Sequence, residues 1–154
     1  MRTFAEAMRR RHPDLVVESF SDARKAVEDA DIICTATASR EPVLFGEWIP
    51  QGAHINAVGA SAAAARELDS RAVAMSRFFV DRRESTLNES GDFLLARRDG
   101  LIGDEHILAE VGEVLIGKHP GRRVAGDITL FKSLGVAIED LASAHHIYER
   151  AMQE

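Results

Sequence analysis

The chain has 154 residues, 45% hydrophobic and 29% charged, the balance of a soluble globular domain with room for one real core. Its net charge of −6 speaks against nucleic acid or an anionic membrane as the main partner. A single cysteine, Cys34, excludes an internal disulfide and fits a reducing, cytoplasmic setting. No apolar run reaches membrane-spanning length, and the N-terminus does not read as a signal peptide.

The first pattern is helical, with Phe4 and Met8 four apart and Arg9, Arg10 and Arg11 on a solvated face. His12-Pro13-Asp14 ends it, because proline disfavours helix in the residue before it. Leu15 to Phe20 is a short β-branched run that reads as a strand. Ser21 is the expected N-cap of the next helix, with Asp22 at its positive end and Ala23, Ala26, Val27 and Ala30 as a close-packing stripe. Residues 31–37, 54–59 and 78–81 are short strands apolar on both faces, the pattern of a parallel sheet covered on both sides. Cys34 lies in such a run and reads as a buried, inert thiol.

In the second half, Thr86 to Glu89 has capping-box spacing and predicts a helix running to Leu95. Asp104 is a candidate cap for another, with Ile107, Leu108, Val111, Val114 and Leu115 on one face until Gly117, Pro120 and Gly121 break it. Residues 128–131 are a strand candidate. A long last helix from Ser133 is expected to turn Leu134, Ala137, Ile138, Leu141, Ala144 and Tyr148 inward. The whole reads as α/β with a mostly parallel sheet and flanking helices.

Ligands bind at the ends of parallel strands. Two stretches stand there, Thr35-Ala36-Thr37-Ala38-Ser39 and Asn56-Ala57-Val58-Gly59-Ala60-Ser61. Their small side chains admit a cofactor to the backbone, although tight strand–helix packing explains them at least as well. No G-x-G-x-x-G occurs, so the usual glycine cradle for a pyrophosphate is missing from this sequence. No metal site is expected. Adjacent His145 and His146 diverge by about 100° on a helix, and His106 with Glu110 one turn on finds no third ligand.

Several ordered stretches together resemble the ornithine cyclodeaminase / mu-crystallin family. They are ADIICTATASREPVL (30–44), GAHINAVGASAAAARELD (52–69), FFVDRRESTLNESGDFLLA (78–96), GEVLIGKHPGRR (112–123) and DITLFKSLGVAIEDLASAHHIYERA (127–151). They span nearly the whole chain and match the family's C-terminal half. The resemblance implies a partial Rossmann-like NAD or NADP domain over 1–126. It also implies a C-terminal segment, 127–154, whose helices return to complete a substrate and dimerisation domain. The glycine loop, the first strands and the N-terminal half would then lie outside this chain, and the remaining exposed edges predict self-association.

The family moves a hydride between nicotinamide and an amino acid or imine. By that resemblance Thr35, Ala36 and Thr37 line the dinucleotide, and Val58, Gly59 and Ala60 lie near the nicotinamide. Lys132, Ser133, Leu134 and Gly135 close the nicotinamide side. Ser61 stands where true cyclodeaminases have a catalytic aspartate. Ornithine ring closure needs a base, which a lone serine does not supply. At VGAS, RELD and LFKSLG the sequence resembles mu-crystallin-like ketimine reductases more than ornithine cyclodeaminase itself. The expected partners are a small amino acid or imine and, in a complete protein, a second copy. The alternatives are a true ornithine cyclodeaminase once complete, a non-catalytic fragment that binds a ligand or dimerises, or one half of an enzyme assembled from two chains. The isolated chain is expected to be inactive.

Overall fold

A computed structural model describes residues 2–153, with side chains from Phe4 onward. Five short strands form one sheet: β1 (Ile32–Thr35), β2 (His54–Ala57), β3 (Arg77–Val80), β4 (Ile107–Glu110) and β5 (Thr129–Lys132). All pairings are parallel and the order is β1-β2-β5-β3-β4. The last strand therefore lies in the centre, and residues on both sides of the 126/127 boundary share one sheet. Crossovers join the strands, as parallel pairing requires; they carry α-helices except between β1 and β2, where there is one 3₁₀ turn at Gly46–Trp48.

One face is densely covered. Ile33, Ile55, Phe78, Val80, Ile107 and Leu130 meet Val73 of α3 (Ser70–Met75) and Phe93 of α5 (Gly91–Arg98). Phe78 and Phe93 lie tilted with ring centroids 5.8 Å apart, a favourable aromatic geometry. The opposite face is open at β1, while over β3 and β5 Phe79 and Thr129 are buried, with His119 against Phe79 and Arg122 bonded to Thr129. Burial along β1 alternates, so Ile33 and Thr35 are buried while Ile32 and Cys34 are exposed. At β1 this corrects two expectations: the strand is not covered on both faces, and Cys34 is not buried. In β3 the expectation holds, since Phe78, Phe79 and Val80 are all buried. No described strand lies beyond β1, which is a sheet edge.

The helical pattern at the start holds as α1 (Arg2–Arg11), ending before Pro13. Leu15 to Phe20 forms no strand. A strand exists through a neighbour's hydrogen bonds, and this stretch has a local turn bond from the Leu15 amide to the His12 carbonyl (3.1 Å) and the Arg9 Nε donation to the Val17 carbonyl (2.8 Å), neither of them to a strand. Asp22, one residue after the expected Ser21, caps α2 (Ala23–Val27), accepting from the Arg24 amide. The helix expected from Thr86 to Leu95 is two. α4 (Arg83–Glu89) contains Thr86, and Ser90 breaks the run and caps α5 by accepting from the Phe93 amide.

Ile107 to Glu110 is the edge strand β4, preceded by a 3₁₀ turn at Asp104–His106 and followed by α6 (Val111–Leu115). Ile107 and Ala109 alternate inward beside Phe78 and Phe79. A single helix from Asp104 is thus overturned, and His106 and Glu110 do not share a helical face. The long last helix α7 (Ala137–Ala151) starts after Gly135, whose φ of +83° suits glycine. It buries none of its residues, and Ile138, Leu141 and Tyr148 are all exposed. The expected inward stripe exists, but nothing among the described residues covers it.

Candidate functional site

Parallel strands all end on the same edge of the sheet. In register, Thr35 lies beside Ala57, Ala57 beside Lys132, and Lys132 beside Val80. The loops leaving β1, β2, β5 and β3 therefore follow one another along a single rim. They carry Thr35-Ala36-Thr37, Val58-Gly59-Ala60-Ser61, Ser133-Leu134-Gly135 and Asp81. The structure thus gathers the stretches expected to line a cofactor onto one line of loops, where open α/β sheets take their ligands.

A buried carboxylate organises the first two loops. Glu67 is fully buried. Its Oε2 accepts from the Thr35 hydroxyl (2.8 Å) and the Gly59 amide (2.8 Å), and its Oε1 accepts from the Thr37 amide (2.5 Å). Burial pushes this carboxyl's pKa up, but the bonds from Thr37, Thr35 and Gly59 outweigh it and hold the group below its ordinary value. Gly59 is packed so closely that a Cβ there would overlap the Thr37 backbone and the Glu67 carboxylate.

Beneath this lies a buried ion pair. The Lys132 ammonium is 3.2 Å from Asp92 Oδ2, with both side chains buried. The contact is too poorly aligned to count as a hydrogen bond. Asp92 Oδ1 accepts from the Glu67 and Leu68 amides at 2.8 and 3.0 Å. Burial raises the Asp92 pKa, opposed by the Lys132 charge and these bonds. The Lys132 side chain thus points into the interior. The Ser133 loop after it is tied instead by Asp81, whose Oδ2 accepts from the Leu134 and Gly135 amides, each at 2.6 Å.

The remaining exposures define what can touch a ligand. Ala36, Thr37, Val58, Ser61 and Gly135 are exposed. Thr35 is nearly buried, with its hydroxyl spent on Glu67. Ala60 is buried, and Gly59 and Ser133 are partly so. At the β3–β4 end of the rim a recess of about 630 Å³ is lined by Asp81, Arg82, Glu84, Asn88, Glu110 and Ile138. His106 bonds the Val73 carbonyl (2.8 Å) and His145 pairs with Glu149 on α7. Among the described residues there is no cluster able to hold a metal and no helix long and apolar enough to cross a membrane.

Glu67, Asp92 and Asp81 were not anticipated from the sequence. The available signal was faint: acids beside apolar residues, Glu67 before Leu68 and Asp92 before Phe93.

An open-edged, parallel α/β sheet whose loops form one small-residue rim defines a nucleotide-binding type of fold. Comparison with known proteins makes this specific. The model of the ornithine cyclodeaminase/mu-crystallin family matches residues 1–154, and the chain belongs to that family. It is 47% identical to the ketimine reductase mu-crystallin of Mus musculus over 129 residues, 84% of this chain and 38% of that protein. It superposes on the Thermococcus litoralis Delta(1)-pyrroline-2-carboxylate reductase, solved with NADH and L-proline, with a TM-score of 0.93 and 44% identity. That match covers 99% of this chain and 47% of the other. An archaeal alanine dehydrogenase dimer with bound NAD matches at a TM-score of 0.85 and 35% identity, over 99% of this chain and 47% of that one. The chain spans less than half the length of these relatives.

Proposed function

We propose that this chain forms the nicotinamide-facing rim of an NAD- or NADP-dependent oxidoreductase. It would move a hydride between nicotinamide and the carbon of a cyclic ketimine or amino acid. The observation that carries this reading is the rim itself: three neighbouring strand-end loops rich in small residues, after β1, β2 and β5, with Ala36, Thr37, Val58 and Gly135 exposed along them.

The residues fit a dinucleotide. Small side chains leave the backbone approachable, and half-exposed Val58 offers an apolar surface for a flat ring. The bound cofactor would supply or take the hydride. Ala36 and Thr37 would line it, with Thr35 acting through Glu67 because its hydroxyl is already engaged. Val58, Gly59 and Ala60 would set the floor beside the nicotinamide. Ser133, Leu134 and Gly135 would close that side, held by Asp81, while Lys132 would support them from below. α7 would carry its apolar stripe to a substrate and dimerisation domain. The protein would act as a homodimer in the cytoplasm, where exposed, unpaired Cys34 stays reduced.

Ser61 is exposed on the β2 loop, and among the described residues its hydroxyl has no hydrogen-bond partner. It can hydrogen-bond a substrate but does not remove a proton from an amine at neutral pH. The reading is therefore imine reduction or amino-acid oxidation, not ornithine cyclisation. The test is an assay of the protein joined to a family N-terminal half, with NADH or NADPH. Cofactor oxidation with a cyclic ketimine is expected, and efficient conversion of ornithine to proline would overturn the reading.

A further inference from the structure

The loops after β1 and β2 do not hold each other through the sheet ladder, which ends at Thr35 and Ala57 apart from one bond from the Val58 amide to the Thr35 carbonyl. Beyond that point the gap between them is set by Glu67. This side chain reaches up from a different segment and bonds to both loops, to Thr35 and Thr37 on one side and Gly59 on the other.

Glu67 is itself immobilised. Its carbonyl accepts from the Val43 and Leu44 amides at 2.8 and 2.9 Å. Its amide donates to Asp92, and Asp92 faces the Lys132 ammonium at the end of β5. Three neighbouring strand ends are thus joined through one buried polar chain: Lys132, Asp92, Glu67, then Thr35, Thr37 and Gly59. The hydrogen-bonded part of this chain, Asp92 to Glu67 to the two loops, resists opening because each bond lost leaves a buried polar group unpaired; Lys132 is joined to it by charge alone.

We propose that Glu67 is a positioning residue that fixes the spacing of the β1 and β2 loops, with Asp92 and Lys132 as its foundation, and so sets the slot through which a dinucleotide runs. The slot's occupant rests on the function proposed above; the clamp does not. A carboxylate is required rather than an amide, since three donors converge on it. A glutamine would turn its own NH₂ towards at least one of them.

The test is amide hydrogen exchange of the chain by NMR, paired with NADH titration of the protein joined to a family N-terminal half. The Thr37 and Gly59 amides are expected to exchange slowly in the native protein although they lie beyond the strands. Glu67→Gln is expected to speed both by roughly tenfold or more while Ile55 and Leu130 in the sheet keep their rates. It is also expected to weaken NADH binding by about tenfold. Should Glu67→Gln not fold, Thr35→Val carries the same measurement, with Thr35→Ser expected to behave as wild type. Unchanged Thr37 and Gly59 rates, or equal acceleration throughout the sheet, would overturn the clamp. Absence of NADH binding to the unsubstituted protein would sink the proposed function and leave the exchange result to decide the clamp alone.

Discussion

The ammonium of Lys132 stands 3.2 Å from the carboxylate of Asp92, and neither side chain reaches solvent. Charges so placed depend on each other. Removing one leaves the other buried without compensation, which costs about 3–5 kcal/mol. Lys132→Met and Asp92→Ala are therefore each expected to lower stability by about that amount in urea unfolding. The two together are expected to cost clearly less than the sum of the single losses. Additive losses would mean that the pair does not interact.

The acid behaviour of the clamp has a definite sign. Glu67 has its folded pKa held below the ordinary value of 4.5 by its hydrogen bonds, against the upward push of burial. Its ionised form therefore stabilises the fold above the unfolded value, and that contribution is lost as pH falls through the folded one. Asp92 acts in the opposite sense, because burial raises its pKa. Exposed Asp99 and half-buried Asp127 are lowered, as Glu67 is. The difference between wild type and Glu67→Gln isolates the one group. In urea midpoints it is expected to be about 1–3 kcal/mol near neutrality and to shrink steadily below about pH 4.5. A difference that is constant with pH would show that Glu67 is not an ionised hydrogen-bond acceptor in the fold.

Runs such as Ile32-Ile33-Cys34 and His54 to Ala57 were legible as strands because little else packs a short apolar segment between crossovers. Ile107 to Leu115 was not, since its apolar positions fit a helical stripe as well as a strand followed by one turn; pairing with β3 decided it. Ser90 looked like mid-helix polarity until Gly91, pressed against the Ala62 and Ala65 carbonyls, fixed the break. The candidate rim was legible through its small residues and its family resemblance. Its supports were not, because acids such as Glu67 and Asp92 are surface residues by default. Nothing local in a sequence announces that three donors will converge on one of them.

Gly59 offers a second, purely steric view of the loop spacing. A Cβ at this position would overlap the Thr37 backbone and the Glu67 carboxylate. Gly59→Ala must push the β2 loop away from the β1 loop, at a cost of about 1–3 kcal/mol for overpacking. NADH affinity is expected to fall together with stability. Gly112→Ala, at a position where an added Cβ meets nothing within 4 Å, is the control and is expected to leave affinity unchanged. Equal behaviour of the two variants in denaturant and in cofactor titration would show that the close approach at Gly59 has no consequence.

The last helix predicts how the chain behaves by itself. Ile138, Leu141, Ile147 and Tyr148 on α7 are each more than 60% exposed. Ile138, Leu141 and Tyr148 follow helical spacing, so they gather into one apolar stripe, and exposed stripes of this kind drive association. The open edge of β1 adds unpaired backbone groups. Sedimentation of the isolated chain is expected to show concentration-dependent oligomers. Ile138→Glu with Leu141→Glu is expected to shift them towards monomer, because each glutamate sets a charge in the stripe. These exposed positions bear on no core contact, so the fold should melt within about 0.5 kcal/mol of wild type. If the oligomers persist in the double variant, the β1 edge and not α7 is the surface that associates. Pairing there is tested separately by a lysine at exposed Ile32.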